Sequence, residues 1–318
     1  MSQIINKLFV LDYNDTIVLG IEKVIEDFCI AFFGKDIYEK IKLIERSKGN
    51  NILDRYVKDE SFTLNVEQLK KYWNNFEKSE FFTVLNNNKH TAEKIASIIN
   101  EDLSSIKEND NLKSFCCNKI LYPLIAMYNV HITGVRPEDS FKTFMQKHSN
   151  KNDELIIINT GGPQCSIENE LIEYINLDNK KYGYLKYFTV NKLIFGCNEL
   201  SCKRDSDRIQ KLTEELKNRG YKISKNTEII LIGDTKKDID NFEEIDRQFF
   251  PRSKIFILTR RIDWTDDLMT RKEKHKEKAE KVDKELEAIE ERRKELQDII
   301  KPNDKDKKLA KDFNEISI

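Results

Sequence analysis

Five short apolar runs are the feature that most constrains the fold of this 318-residue chain. The runs are KLFVLD (7–12), ELIIIN (154–159), YFTVNKLIF (187–195), EIILI (228–232) and KIFIL (254–258). Near-continuous Ile, Leu, Val and Phe is typical of strands buried on both faces of a parallel sheet. Between the later runs, residues 205–219 place Ile209, Leu212 and Leu216 on one helical face before Gly220. Because strands alternate with helices, the sequence predicts an α/β fold with a doubly wound parallel sheet and helices on both faces.

The segment from residue 20 to 132 follows a different pattern. Its apolar residues recur three and four positions apart, which is the spacing of one face of a helix. The clearest sets are Val24, Ile25, Phe28 and Phe32, then Leu69, Tyr72 and Phe76, then Ile95, Ile98, Ile99 and Ile106. The sequence therefore predicts a mostly helical insertion at 20–132, between the two parts of an α/β core at 1–19 and 133–265.

The C-terminal segment, residues 266–318, is dominated by charged side chains. A narrow heptad seam runs through its centre and consists of Ala279, Val282, Leu286, Ile289, Arg293, Leu296 and Ile300. Two interpretations of the seam stay open. In one, residues 270–300 form a coiled coil with a second copy of the chain or with another protein. In the other, they form a single solvated helix that packs on its own domain.

The charge balance and the cysteines set the expected environment. The chain carries 55 basic and 56 acidic side chains, and this balance gives no electrostatic reason to expect nucleic acid or an anionic membrane as a partner. The N-terminal residues do not have the pattern of a signal peptide, and no apolar stretch approaches about 18 residues, so we expect neither a signal peptide nor a membrane span. Its six cysteines contain no CxxC pair, which favours reduced thiols. We therefore expect a reducing compartment, the cytoplasm.

Polar motifs follow three of the apolar runs. They are DYNDTI (12–17), NTGG (159–162) and GDTKKDID (233–240). Parallel strands place the residues after their carboxyl ends at one edge of the sheet, where open α/β sheets bind their ligands. The sequence therefore brings the carboxylates of Asp12, Asp234 and Asp238 together with the hydroxyl of Thr160. The adjacent glycines allow backbone amides to approach an anion closely.

This order of motifs resembles the pattern of the haloacid dehalogenase superfamily, in its phosphatase-like branch with a helical cap. That family carries an aspartate motif after the first strand, a Ser or Thr after the second, a lysine, and GDxxxD after a later strand. The match covers the two segments that flank the helical insertion. The resemblance implies a Rossmann-like fold and a small phosphorylated substrate or phosphate as ligand. It also implies that segment 20–132 is the cap, which covers the site and selects the substrate.

The resemblance assigns a role to each motif residue. Asp12 would be the nucleophile that becomes an aspartyl phosphate, and Thr160 would bind a phosphoryl oxygen. Magnesium would be held by Asp12, the backbone carbonyl of Asn14 and Asp234, with Asp238 as a further ligand. These ligands are all oxygens, which suits a hard cation. The magnesium would neutralise the repulsion between carboxylate and phosphate.

The family's lysine is assigned to Lys203, which precedes the helix predicted at 205–219. Lys192 and Lys211 are the alternatives, and a surface lysine without a catalytic role is the plain structural interpretation. The dehalogenase branch of the superfamily is disfavoured because it lacks the emphasis on magnesium ligands that Asp234 and Asp238 provide here.

Asn14 departs from the family pattern. The phosphatases carry aspartate at this position, where it protonates the leaving oxygen and later activates water, and an amide cannot transfer a proton. The sequence therefore predicts a magnesium-dependent phosphohydrolase or phosphotransferase that is impaired by Asn14 and keeps a long-lived phosphorylated Asp12. Asn14 is either the natural residue or one introduced to trap substrate. The alternative function is a noncatalytic binding or scaffold protein that uses its cap or C-terminal helix for partners.

Overall fold

The computed structural model describes a large part of the chain. The described residues are 3–14, 16–18, 22–45, 52–102, 111–137, 139–196, 200, 208–233 and 254–257. Contacts divide the chain into two compact units, Met1–Thr265 and Asp266–Ile318, and every described residue belongs to the first. The helix predicted in the C-terminal tail lies outside the described residues.

The strands form two parallel sheets. In chain order they are β1 (Gln3–Ile4), β2 (Lys7–Leu11), β3 (Glu154–Asn159), β4 (Ile194–Phe195), β5 (Tyr221–Lys222), β6 (Glu228–Gly233) and β7 (Lys254–Ile257). The larger sheet has the order β4-β3-β2-β6-β7, and β1 pairs with β5 in a separate two-stranded sheet. All pairs are parallel. The predicted α/β class with a parallel sheet is therefore confirmed.

The centre of the large sheet is buried on both faces. Every residue of β3 is buried, as are four of the five residues of β2 and five of the six residues of β6. In register, Leu11 at the end of β2 lies between Ile158 of β3 and Ile232 of β6. Strands with apolar side chains on both faces are covered on both sides, and β2 lies at the centre of this sheet.

Helices precede and connect these strands. Between β2 and β3 they are α1 (Glu22–Phe33), α2 (Lys35–Lys42), α3 (Ile52–Lys58), α4 (Val66–Phe76), α5 (Glu80–Asn87), α6 (Ala92–Ser97), α7 (Leu112–Phe115), α8 (Tyr122–Met127) and α9 (Asp139–His148). π-Helical turns at Ile98–Asp102, Cys116–Leu121 and Tyr128–Ile132 continue α6, α7 and α8. After β3 come α10 (Gln164–Leu177), α11 (Asn179–Tyr182), a 3₁₀ turn at Gly183–Leu185, α12 (Lys186–Val190) and α13 (Arg208–Asn218).

The described residues between 22 and 132, here called the helical block, have an apolar cluster of their own. Phe28, Phe32, Leu69, Phe76 and Ile95 are fully buried in it. These are the residues whose helical spacing predicted the insertion, and the helices are confirmed where the structure describes them. In the part of the chain that the structure describes, no helix is both long and apolar enough to cross a membrane.

The third apolar run differs from its prediction. A strand was expected over 187–195, but residues Lys186–Val190 form α12 and only Ile194–Phe195 form a strand. The reason is that the run is not continuously buried. Val190 is 73% exposed, and Lys192 takes a positive φ of 54° in the turn between the helix and the strand. The prediction was wrong for the first part of this run.

Candidate functional site

Asp12 lies at the carboxyl end of the central strand. Its backbone N–H donates to the Ile232 carbonyl at 2.8 Å, and a Cβ atom added at Gly233 would lie 3.6 Å from the Asp12 Cβ. The chain runs from β2 to β3 and β4 on one side of the sheet, then to β6 and β7 on the other. Asp12 therefore sits where the connections change direction, which is the usual ligand-binding crevice of an open α/β sheet.

The chain turns sharply after Asp12, and the carbonyl of Tyr13 closes the turn. This oxygen accepts the backbone N–H groups of Ile17 at 2.9 Å and Val18 at 3.2 Å. Asn14 is exposed and forms an isolated bridge with Val18. The turn therefore holds Asn14 at the surface. Tyr13, which lies between Asp12 and Asn14 in the sequence, is fully buried.

Thr160 follows the neighbouring strand at the same edge. Its N–H donates to the Phe195 carbonyl at 3.0 Å, and only 1% of the residue is exposed. The Thr160 hydroxyl oxygen accepts the Gly162 N–H at 3.1 Å, which leaves the hydroxyl proton for donation to a ligand oxygen. Because Leu11 pairs with Ile158, the residues that follow β2 and β3 emerge side by side.

Gly196 allows the end of β4 to pack against the loop that follows Thr160. A Cβ atom at position 196 would lie 2.2 Å from the Gln164 nitrogen and 2.9 Å from the Gly162 carbonyl oxygen. A flexible side chain could move away from an added Cβ atom at these distances, but backbone atoms cannot. Glycine is therefore required here by close approach of two backbone segments.

Arg208 is a buried cation at this sheet edge that sequence reasoning missed. Its guanidinium donates to the Asn159 side-chain oxygen from Nε at 3.0 Å and Nη2 at 2.8 Å. It also donates to the Phe195 and Gly196 carbonyls, each at 3.1 Å. It therefore ties the ends of β3 and β4 together. One signal was available, because Arg208 lies four residues before Leu212 on the buried face of α13.

A buried polar cluster lies behind the turn. Burial raises the pKa of Glu170, on α10, to about 7, although the polar groups of Tyr174, Tyr13 and Asn129 oppose this shift. Burial and the Glu170 charge raise the pKa of Tyr13 well above its usual value. Tyr13 thus interacts electrostatically with Glu170, yet among the described residues its hydroxyl has no partner in hydrogen-bonding geometry.

The structure brings together Asp12, Asn14 and Thr160 of the predicted site. Lys203, Asp234 and Asp238 lie outside the described residues. The alternative lysines are both described. Lys192 precedes β4 and so lies toward the amino end of that strand, away from the site, and Lys211 is exposed on α13.

The described donors at this edge suit a hard cation. The Asp12 carboxylate and the Asn14 carbonyl both offer oxygen, the ligand type that magnesium prefers. Among the described residues, no group of three or more His, Cys, Asp or Glu side chains is placed to hold a metal ion. The acidic ligands predicted to complete the magnesium site, Asp234 and Asp238, are outside that part of the chain.

Comparison with known proteins leaves the family open. No family model matches the chain, and no curated protein matches it. The chain is similar to a solved X-ray structure described as Northeast Structural Genomics Consortium target ZR25, with 11% sequence identity and a TM-score of 0.32. The similarity covers 80% of this chain and 89% of that chain. A TM-score this low carries no argument about fold or function.

Proposed function

We propose that the chain is a magnesium-dependent phosphohydrolase or phosphotransferase of the haloacid dehalogenase superfamily, acting through an aspartyl phosphate at Asp12. One observation carries the proposal: Asp12 and Thr160 emerge from adjacent parallel strands at the carboxyl edge of the sheet. The strand order β4-β3-β2-β6-β7 supports a Rossmann-like sheet, in which the proposed site lies at the carboxyl end of the central strand β2.

The proposed reaction begins with a phosphorylated small molecule in the crevice. A carboxylate oxygen of Asp12 attacks phosphorus, and the bond between phosphorus and the leaving oxygen breaks. The Thr160 hydroxyl donates a hydrogen bond to a phosphoryl oxygen and so orients the group. Magnesium, held by Asp12, the Asn14 carbonyl, Asp234 and Asp238, would neutralise the repulsion between the two anions.

Asn14 decides which substrates react. An amide cannot give a proton to the leaving oxygen, so alkyl phosphates, whose leaving oxygen needs that proton, react slowly. Acyl phosphates release a carboxylate, which leaves without protonation. The same lack of a base at position 14 slows attack of water on the phosphorylated Asp12. We therefore expect the aspartyl phosphate to accumulate.

Intact-protein mass spectrometry after incubation with acetyl phosphate and magnesium tests this proposal. We expect one phosphate adduct on the wild-type chain and none on Asp12→Asn, which has nearly the same shape but no nucleophilic carboxylate. Omission of magnesium should also abolish the adduct. A wild-type chain that gains no phosphate, or an Asp12→Asn chain that gains as much, would contradict the proposal.

We propose that the helical block is the cap of this site, within an insertion that spans residues 20–132. The cluster around Phe28 and Phe76 supports a unit with its own core. Contacts with α10 support its position next to the α/β part: Lys94 of α6 binds both carboxylate oxygens of Glu173, at 2.5 and 2.6 Å, and His131 Nε2 lies 2.9 Å from Glu173 Oε2.

A further inference from the structure

Arg208, the first residue of α13, is buried at the carboxyl edge of the sheet, with 1% of its surface exposed. Its guanidinium donates from Nε and Nη2 to the Asn159 side-chain oxygen, at 3.0 and 2.8 Å. Nη2 also donates to the Phe195 carbonyl and Nη1 to the Gly196 carbonyl, each at 3.1 Å. Because the guanidinium is planar and rigid, these bonds fix the positions of the acceptors relative to one another.

The Phe195 carbonyl connects Arg208 to Thr160. This oxygen accepts the Thr160 N–H at 3.0 Å as well as Nη2 of Arg208 at 3.1 Å. A backbone carbonyl has two lone pairs, one for each of these donors. The other acceptor, Asn159, is the residue immediately before Thr160. Arg208 therefore holds Thr160 by two routes, through the preceding side chain and through the acceptor of its backbone N–H.

The loop after Thr160 is held by the same group of contacts. Gly196, whose carbonyl Arg208 binds, has no room for a Cβ atom because the backbone of Gly162 and Gln164 lies against it. Within the loop, the Thr160 hydroxyl oxygen accepts the Gly162 N–H at 3.1 Å. The position of the hydroxyl thus depends on how the end of β4 lies against this loop, which is where Arg208 binds.

We propose that Arg208 is a positioning residue: by joining the ends of β3 and β4 it fixes Thr160, so that the Thr160 hydroxyl donates to a phosphoryl oxygen. The inference rests on the proposed function of Asp12. It deepens that proposal by naming a residue outside the predicted motifs on which phosphoryl binding depends. Arg208 does not contact the substrate in this proposal, and its whole effect passes through Thr160.

A double-mutant cycle on phosphate incorporation tests the inference. The measured quantity is the initial rate of adduct formation at subsaturating acetyl phosphate with magnesium. Thr160→Val removes the hydroxyl and nearly keeps the shape, and it should lower the rate by about tenfold, the usual cost of one hydrogen bond to a charged group. Arg208→Lys keeps the positive charge but loses the planar fork, and it should lower the rate by about the same factor. The double variant should be within about twofold of Thr160→Val, because no hydroxyl is left to position.

Arg219→Lys is the matched control. The Arg219 guanidinium also contacts β4, since it lies 4.6 Å from the centre of the Phe195 ring, but it follows the opposite end of α13 and donates to the Lys192 carbonyl. Its rate should stay within about twofold of the wild type. Asn159→Ala removes an acceptor instead of the donor and should reproduce the loss in Arg208→Lys. It is the second variant if Arg208→Lys does not fold, as judged by circular dichroism.

The outcomes separate the inference from the proposed function. If the wild type gains no phosphate, the proposed function fails and the positioning role fails with it. If the wild type is phosphorylated, the inference is overturned when folded Arg208→Lys and Asn159→Ala react at the wild-type rate, or when Thr160→Val does. It is also overturned when the losses in Arg208→Lys and Thr160→Val multiply, as those of a merely structural residue would. In these cases Asp12 keeps its role.

Discussion

In the proposed function, the chemistry at residue scale depends on the amide of Asn14. The turn holds Asn14 at the surface, one residue beyond the buried Tyr13. An aspartate in this place could give a proton to a leaving group and take one from water, because it is exposed and beside the nucleophile. With asparagine, both proton transfers fall to solvent. In the proposed function, the first chemical step then proceeds only for good leaving groups, and the second is slow.

Asn14→Asp should therefore convert a slow or single-turnover chain into a turnover enzyme. General acid–base catalysis contributes about 10² to 10⁴ in rate, and we expect phosphate release from aryl and alkyl phosphates to rise by that order. The phosphate adduct seen by mass spectrometry should become short-lived. Phosphate release in the double variant Asp12→Asn/Asn14→Asp should stay at background. If Asn14→Asp and the wild type release phosphate at equal rates, either Asn14 does not cause the slow turnover or the protein does not hydrolyse phosphate esters.

Some site residues follow from sequence and others do not, for a physical reason. Asp12 ends one apolar run and Thr160 follows another, so the geometry of parallel strands was enough to predict that both lie at the same edge of the sheet. Arg208 binds Asn159, which lies 49 residues earlier in the chain. Its importance comes from burial of a charge, which a helical pattern alone does not reveal.

At the scale of elements, a side chain provides a hydrogen bond to β3 that its short neighbour β4 does not provide. β4 contributes only Ile194 and Phe195, so on this side the earlier part of β3 has no strand beside it among the described residues. The N–H of Ile156 instead donates to the Tyr187 hydroxyl at 3.1 Å. Burial raises the pKa of Tyr187 to about 12, although the hydrogen bond from Ile156 opposes the shift. One phenol from α12 thus replaces a missing ladder bond.

Tyr187→Phe should destabilise the protein by about 1 to 3 kcal/mol, because it leaves a buried backbone N–H without an acceptor. Urea denaturation at pH 7 measures the free energy of unfolding. Tyr56→Phe is again the matched control, since its buried hydroxyl has no partner among the described residues and its removal should cost little or nothing. Equal losses in the two variants would show that the Tyr187 oxygen contributes nothing as an acceptor.

The elements themselves were predictable where burial is uniform. The central strands β2, β3 and β6 are apolar on both faces, and α13 has one apolar face that ends before Gly220, whose φ is 91°. The prediction of a strand over 187–195 was wrong for the first part of this run. Its aromatic and β-branched residues favour strands, but in the structure they belong to α12, which buries only part of its surface. The π-helical turns of the helical block leave no periodic signal that distinguishes them from α-helix.

At the scale of the whole molecule, α10 begins just after Thr160 and also contacts the helical block. Glu173 of α10 binds Lys94 and His131 of the block. Near its start, the Cys165 thiol lies 3.2 Å from the Asn118 side-chain oxygen. The helical block is therefore held against α10 at two points, Glu173 and Cys165.

The pH dependence of stability is the sum of contributions from titrating groups, and those of Glu170 and His148 have opposite signs. Burial raises the pKa of Glu170 to about 7, so between pH 4.3 and 7, roughly, the folded chain holds a proton that the unfolded chain has lost. Its contribution to stability is therefore present at low pH and lost as the pH rises through this range. Burial also lowers the pKa of His148, despite opposition from Glu154, so protonation of His148 favours unfolding as the pH falls below about 6.5.

Glu170→Gln separates the first effect from the second, because the amide never ionises. Relative to wild type, its free energy of unfolding should rise with pH from about 4.5 and level off above pH 7, with a gain of at most about 3 kcal/mol. Urea denaturation at pH 4.5, 6 and 8 measures this, with Glu67→Gln, an exposed change on α4, as the control. A difference in the free energy of unfolding that does not vary with pH would mean that Glu170 titrates normally.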